Sequence, residues 1–246
     1  MKVSRNEMKA ALMRAYEGAA YAIGDYEEAA ELITWSEMCG LRGFADTSFP
    51  QPAPQREHLP YINYENNGIA VIDANAADVC QYGSLAAHLS CTLADREGLA
   101  SVHLTNCTSP KLILGNLAKI ARYGFYLSVY WQQNGVQHGA SFDSGSVYPE
   151  YWFCSSGDNA STETLASITI LCTRQAGLLA NTTRPLHFKP ANEMQLTGAA
   201  ILASRYDAAL DQGIDVDPDQ WAALNEAAWP ILVPTSQQSS LGAGPG

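Results

Sequence analysis

The segment Thr105–Lys111, TNCTSPK, places an amide, a thiol, three hydroxyls and an ammonium group within seven residues. It follows an alternating apolar run and precedes a helical one. It holds no imidazole and no carboxylate, the usual carriers of protons in catalysis. Such a set suits holding an anion better than moving a proton. Ser109 and Pro110 fit the cap and first position of the next helix. A helix N-terminus favours negative charge, and Lys111 would add to it at a place where acidic residues are the ordinary choice. A small carboxylate or phosphate is therefore the expected guest, with Asn106, Thr108, Ser109 and Lys111 as candidate ligands. Ser109 equally serves as a helix cap alone, and Cys107 would act as a nucleophile only with a lowered pKa. Arg42 and Arg174 offer the fork geometry that clamps a carboxylate, or serve as structural arginines. His138 and Asp143, in QHGASFD, form a candidate acid/base pair. His88 lies on an apolar helical stripe and reads as a core histidine. His103 alternates within a strand, and His187 sits in a proline-flanked loop. No three of His, Cys, Asp and Glu stand at metal-ligand spacing, so no metal is expected.

Two helices must come first along the chain. Ser4 and Glu7 form a capping box ahead of the stripe Met8, Ala11, Leu12 and Ala15. Asp25 and Glu28 repeat the pattern ahead of Ala29, Leu32 and Ile33, and Gly40 ends the second helix. Residues 1–45 thus read as a helical hairpin. DTSFPQPAPQREHLP is too rich in proline for a helix or central strand, so 46–60 read as a linker or arm. An α/β core with C-terminal helices is expected over 61–234, and a flexible tail over 235–246. GIAVIDA, ASVHLTN, FYLSVYWQ and ASITILCTR read as strands. A helix is expected from Ala77 to Glu97, with Leu85, His88, Leu89 and Leu93 inward, and a second between Ser109 and Gly124. Residues 134–162 suggest turns and short antiparallel strands. Residues 193–212 read as a long helix, and Asp217-Pro218 starts the last one, which buries Trp221, Leu224 and Ala228. The fold class is α/β (α+β): helices at both ends and a mixed sheet with flanking helices between.

The bulk numbers set exclusions. A chain of 246 residues with 47% hydrophobic content buries a substantial core. Its net charge of −11 argues against nucleic acid, whose binding needs a basic surface. No run approaches the length of a membrane span and no secretory h-region opens the chain, so a cytoplasmic protein is expected. The six cysteines are scattered without a C-x-x-C pair, which suits buried thiols rather than a disulfide framework. No G-x-G-x-x-G follows a strand and no Walker A sequence is present, so an ordinary dinucleotide phosphate loop is not encoded.

EEAAELITWSEMCGLRGFAD (27–46) resembles the N-terminal helical signature of the malate/L-lactate dehydrogenase-type oxidoreductases, which use nicotinamide nucleotides without a Rossmann fold. The resemblance runs through GIAVIDA to FYLSVYW, over residues 1 to 131, and more loosely through GIDVDPDQWAALNEAA. With its ITWSEMCGL opening and VPTSQQSSLGAGPG close, the chain looks like a family of short, uncharacterised bacterial proteins related to that superfamily. The resemblance implies a malate/L-lactate dehydrogenase-type fold in shortened form, NAD(P) as a possible cofactor, and a homodimer. The superfamily's first motif, Arg-Gly-x-x-Ser-His-Gly, carries its acid/base histidine. Here Cys39 replaces the arginine, Gly40 matches, and Gly43, Phe44 and Ala45 stand at Ser-His-Gly. Its second motif, Asn-x-x-His-Phe-Gly, lines the cofactor pocket; Ser109, Pro110 and Lys111 stand at His-Phe-Gly. Its central segment, with a Gly-Thr-Asn-Pro turn, finds no counterpart between 132 and 192. A positioned proton donor contributes about 10²–10⁴-fold to a hydride transfer to a carbonyl, and Phe44 cannot supply it. Two readings follow. One is a small-anion-binding or accessory protein on an inherited scaffold. The other is an NAD(P)H-dependent oxidoreductase on a 2-oxo acid or cyclic imino acid, with a replaced acid such as His138. The patch Tyr148, Tyr151, Trp152 and Phe153 fits a core or an interface alike.

Overall fold

The computed structural model describes residues 1–46, 60–155, 165–180 and 194–231. Most of the proline-rich arm, the tail and His187 lie outside the described residues.

The N-terminal hairpin forms as its caps dictate, with one exception. Helix α1 (Arg5–Gly18) starts on a complete capping box: Ser4 Oγ accepts from the Glu7 amide at 3.2 Å, and the Glu7 carboxylate accepts from the Ser4 amide at 2.7 Å. Helix α2 (Ile23–Met38) starts two residues before the expected Asp25 box. Ala22 caps it without a side-chain bond, and Asp25 sits in the first turn, where the helix dipole favours its charge. The hairpin buries Met8, Leu12, Ala29 and Ile33 between its members. After Gly40, at φ +69°, the chain enters the single turn α3 (Gly43–Asp46).

Eight strands build the main sheet: β2 (Tyr61–Asn66), β3 (Ile69–Asp73), β4 (Leu99–Cys107), β5 (Tyr126–Gln133), β6 (Val136–Phe142), β7 (Glu150–Ser155), β8 (Ala166–Thr173) and β9 (Gln195–Thr197). Their order is β2-β3-β4-β8-β5-β6-β7-β9. Strands β3 and β4 are parallel, and β8 inserts antiparallel to both β4 and β5, so β3, β4 and β5 share one direction. The two crossovers carry α4 (Val79–Glu97) and, after a 3₁₀ turn at Pro110–Leu112, α5 (Ile113–Ala121). Helix α4 covers the sheet face formed by Val102, Leu104, Ile168 and Ile170, all fully buried and worth ~1.5–3 kcal/mol each, and α5 packs beside it over β5 and β6.

Helix α4 differs from its expected orientation. Its buried side is Val79, Gly83, Ala86, Ala87, Ser90 and Leu93, whereas Leu85 and His88 face solvent. The small residues win because they let α4 lie close against α5. A Cβ on Gly83 would stand 2.5 Å from Asn116 Nδ2 and 2.8 Å from Val79 Cγ1.

The expected long helix over 193–212 divides into β9 and α6 (Ala199–Gln212). Strand β1 (Lys2–Val3) pairs antiparallel with β10 (Ile214–Asp215), which ties the start of α1 to the junction before α7 (Pro218–Ala227). Asp217 caps α7 through the amides of Asp219 and Gln220, and the helix buries Leu224 with Trp221 partly covered.

Candidate functional site

Because β3 and β4 are parallel neighbours, their C-terminal ends deliver residues 73–78 and 105–109 to one place. Four non-glycine residues there take left-handed backbone: Asn75, Ala76, Asn106 and Ser109, at φ 52°, 66°, 55° and 51°. Such angles persist only where surrounding bonds hold them. Two carboxylates do the holding. Asp73 accepts from the Asn75 amide at 2.8 Å and from Asn106 Nδ2 at 3.0 and 3.1 Å. Asp78 caps α4 through the Cys80 amide at 2.8 Å and accepts from Thr108 Oγ1 at 3.0 Å and Ser109 Oγ at 2.5 Å. Backbone bonds between Thr108 and both Ala77 and Val79 close the seam.

Asn106, Thr108 and Ser109 therefore come together, with their side chains on protein carboxylates. Ser109 does not cap a helix: it is left-handed, makes no cap bond, and precedes a 3₁₀ turn. Its hydroxyl donates instead to the Asp78 carboxylate, a charge-assisted bond. Cys107 is fully buried, and its thiol donates to the Ala166 carbonyl at 3.3 Å. Burial first, and the Asp78 charge second, push that thiol up to about 12, which removes it as a nucleophile near neutrality.

Lys111 reaches the other way. Its Nζ donates to the Leu41 carbonyl at 3.2 Å, which fastens the loop to the turn between α2 and α3. That turn carries Arg42, at φ 58°, and leads into Phe44 of α3, whose amide donates to Glu37 Oε1 at 2.6 Å. Arg42 and Phe44 face a cavity of about 470 Å³ bounded by the end of α2, α6, the β1–β10 clip and the start of α7.

The electrostatics of this cavity are uneven. Three carboxylates line it, and each has work to do: Glu37 holds Phe44, Asp215 pairs with Lys2 at 3.7 Å, and Asp217 caps α7. Two guanidinium groups line it, Arg42 and Arg205, and neither makes an ion pair or hydrogen bond to a described residue. Apolar surface comes from Met38, Phe44 and Val216. A concave, mostly apolar site with a few convergent donors is the common form of a small-molecule pocket. Among the described residues, no histidine lines it.

Arg205 was not among the residues singled out in the sequence. Its one local signal is that it is the sole cation of α6.

The remaining candidates stand apart from the cavity. His138 stacks on Trp131 at 5.0 Å, and its Nδ1 meets Tyr151 Oη at 2.8 Å, whereas Asp143 lies past the end of β6. His103 bonds Ser101 and Thr169 on the sheet. Arg174 does clamp a carboxylate, but that of Asp95, while also donating to the Tyr123 carbonyl and lying over Phe125 at 3.9 Å. The aromatic patch divides by strand alternation: Tyr151 and Phe153 join Trp131 and His138 on one face, and Trp152 crosses Gly139 on the other. Among the described residues, no group of His, Cys, Asp and Glu forms a metal-binding cluster, and no helix is long and apolar enough to cross a membrane.

Comparison with known proteins places this architecture. A family model described as "Protein of unknown function (DUF3726)" matches residues 3–50. No curated protein matches by sequence. Among solved structures, a malate dehydrogenase from Entamoeba histolytica is similar at TM-score 0.66 and 10% identity, over 96% of this chain and 99% of that one. A dehydrogenase from Sinorhizobium meliloti is similar at TM-score 0.69 and 11% identity, over 93% and 99%. A sulfolactate dehydrogenase from Methanocaldococcus jannaschii is similar at TM-score 0.65 and 12% identity, over 92% and 96%. The fold is that of the malate/L-lactate dehydrogenase-type proteins, matched from end to end.

Proposed function

We propose that the chain is a small-anion-binding or accessory protein on a dehydrogenase-type scaffold, and that its ligand is a small carboxylate held in the 470 Å³ cavity by Arg42 and Arg205. The carrying observation is the imbalance of partners there: every lining carboxylate is engaged, and both guanidinium groups have no described partner. A guanidinium fork grips a carboxylate through two parallel bonds. Lys111, through Leu41, fixes the turn that carries Arg42. Asn106, Thr108 and Ser109 support the site from behind by holding that loop rather than by touching the ligand.

The same geometry speaks against the second reading, an NAD(P)H-dependent oxidoreductase, although the fold of the named dehydrogenases favours it. Its cofactor would be a nicotinamide dinucleotide, whose phosphates need donors. The loop assigned to it by resemblance presents the Asp73 and Asp78 carboxylates, and its amide and hydroxyl donors are spent on them. The residues do not fit the group. Phe44 lines the cavity where the resemblance places an acid, and the Ser109 proton is committed to Asp78. A cytoplasmic homodimer remains part of the proposal. The exposed Tyr61, Ile62 and Tyr64 on edge strand β2 support it, because an uncovered apolar edge invites a second chain.

Thermal unfolding with malate, lactate and pyruvate at matched ionic strength tests the reading. A carboxylate at a hundred times its Kd adds ~2.7 kcal/mol of stability. Arg42→Gln with Arg205→Gln should abolish that gain. Saturable NADH binding with turnover of any of these acids would overturn the proposal in favour of the enzyme.

A further inference from the structure

A second, smaller cavity of about 160 Å³ lies on the other side of Met38, between α1, α2, the end of α5 and α6. Three cations from two separate elements converge on it: Arg5 and Lys9 from α1, and Arg122 from the C-terminal end of α5. None of the three makes an ion pair or hydrogen bond to a described residue. One carboxylate, Glu31, lines the same space, which leaves two positive charges in excess. The chain as a whole carries −11, so an unpaired cationic cluster runs against its composition.

A buried group points to the same place independently. Thr34 lines the cavity and is 2% exposed, yet its hydroxyl finds no partner among the described residues. A mid-helix threonine can bond the carbonyl four residues back, and leaving a buried hydroxyl unpaired is costly. A ligand oxygen would satisfy it. Trp35 forms one wall, which keeps the site partly shielded from water and its charges less screened.

We propose that this cavity binds a phosphate group, with Arg5, Lys9 and Arg122 neutralising its charge and Thr34 donating to one oxygen. Cations approaching from several directions suit a tetrahedral dianion better than a planar carboxylate, and the excess of two positive charges matches it. The volume admits inorganic phosphate or the phosphate end of a small phosphomonoester, with little room for more.

Inorganic phosphate is the probe, with sodium chloride at equal ionic strength as reference. Phosphate should raise Tm and broaden its own ³¹P resonance in the presence of protein. Lys9→Gln with Arg122→Gln should weaken binding at least about tenfold, the usual cost of charge-assisted bonds. Thr34→Val keeps the shape and should weaken binding several-fold. Arg42→Gln with Arg205→Gln should leave the ³¹P response intact, which separates this site from the larger cavity. The inference fails if phosphate does no more than chloride, if the response survives Lys9→Gln with Arg122→Gln, or if it disappears in the Arg42/Arg205 variant instead.

Discussion

Asp78 carries three bonds at once: the α4 cap, the Thr108 hydroxyl and the Ser109 hydroxyl. Removing it strands two hydroxyl donors and an amide beside a left-handed backbone. Asp78→Ala should therefore cost about 2–4 kcal/mol, the sum of a helix cap and charge-assisted bonds, read as a lower urea midpoint with an unchanged slope. Ser109→Ala should cost less, since it removes one donor and leaves Asp78 two others. The neighbouring Cys107 tests the same packing by reactivity. A thiol at about 12 has on the order of one thiolate in ten thousand at pH 8. Of the six cysteines, five are buried and Cys91 alone is partly accessible. A thiol reagent at pH 8 should thus label the native chain once, at Cys91, and all six positions only in denaturant. Labelling of Cys107 in the native protein would mean that the seam opens.

At the scale of elements, much of the fold was legible where local chemistry decides the outcome. The Ser4–Glu7 box and the Asp217-Pro218 start are satisfied by residues three or fewer positions away, and both stand as expected. The four expected strands are present for the same reason, their alternation being local. Strand β2 was missed because every one of its residues is exposed, so it shows no apolar alternation. A signal was there nonetheless: Asn67-Gly68 and Asn134-Gly135 both take positive φ and join antiparallel neighbours, the Asn-Gly hairpin turn. The insertion of β8 between β4 and β5 rests on partners 59 to 74 residues away in β4 and 37 to 47 residues away in β5, and leaves no local trace. The inward face of α4 misled for a related reason. Large residues were expected inside, yet the closeness of α5 selects small ones. Gly83→Ala tests this directly. Helix propensity alone would reward the change by about 1 kcal/mol. The clash with Asn116 and Val79 should outweigh that and give a net loss of about 1–2 kcal/mol in chemical denaturation. A stabilised variant would show that α4 and α5 have slack.

Across the whole molecule, the larger cavity exists because distant parts of the chain meet. Lys2 and Val3 pair with Asp215 and Ile214, and α1 packs against α7, so the cavity wall is closed by residues more than two hundred positions apart. This two-strand clip is short, and the sheet is not. Contacts of that kind open at lower free energy than a packed core. Native-state hydrogen exchange should accordingly release the amides of α7 and β10 before those of β4 and β8. Val3, a buried member of the clip, sets how much earlier. Val3→Ala should cost about 1–2 kcal/mol and speed exchange in α7 far more than in β4. A carboxylate seated between Arg42 and Arg205 touches both the α2 end and α6, and so should slow exchange in β10 and the first turn of α7 while leaving β4 unchanged. If the carboxylate instead protects the loop at 106–111 and not the clip, then the ligand sits at the strand ends, and the guanidinium pair is not its receptor.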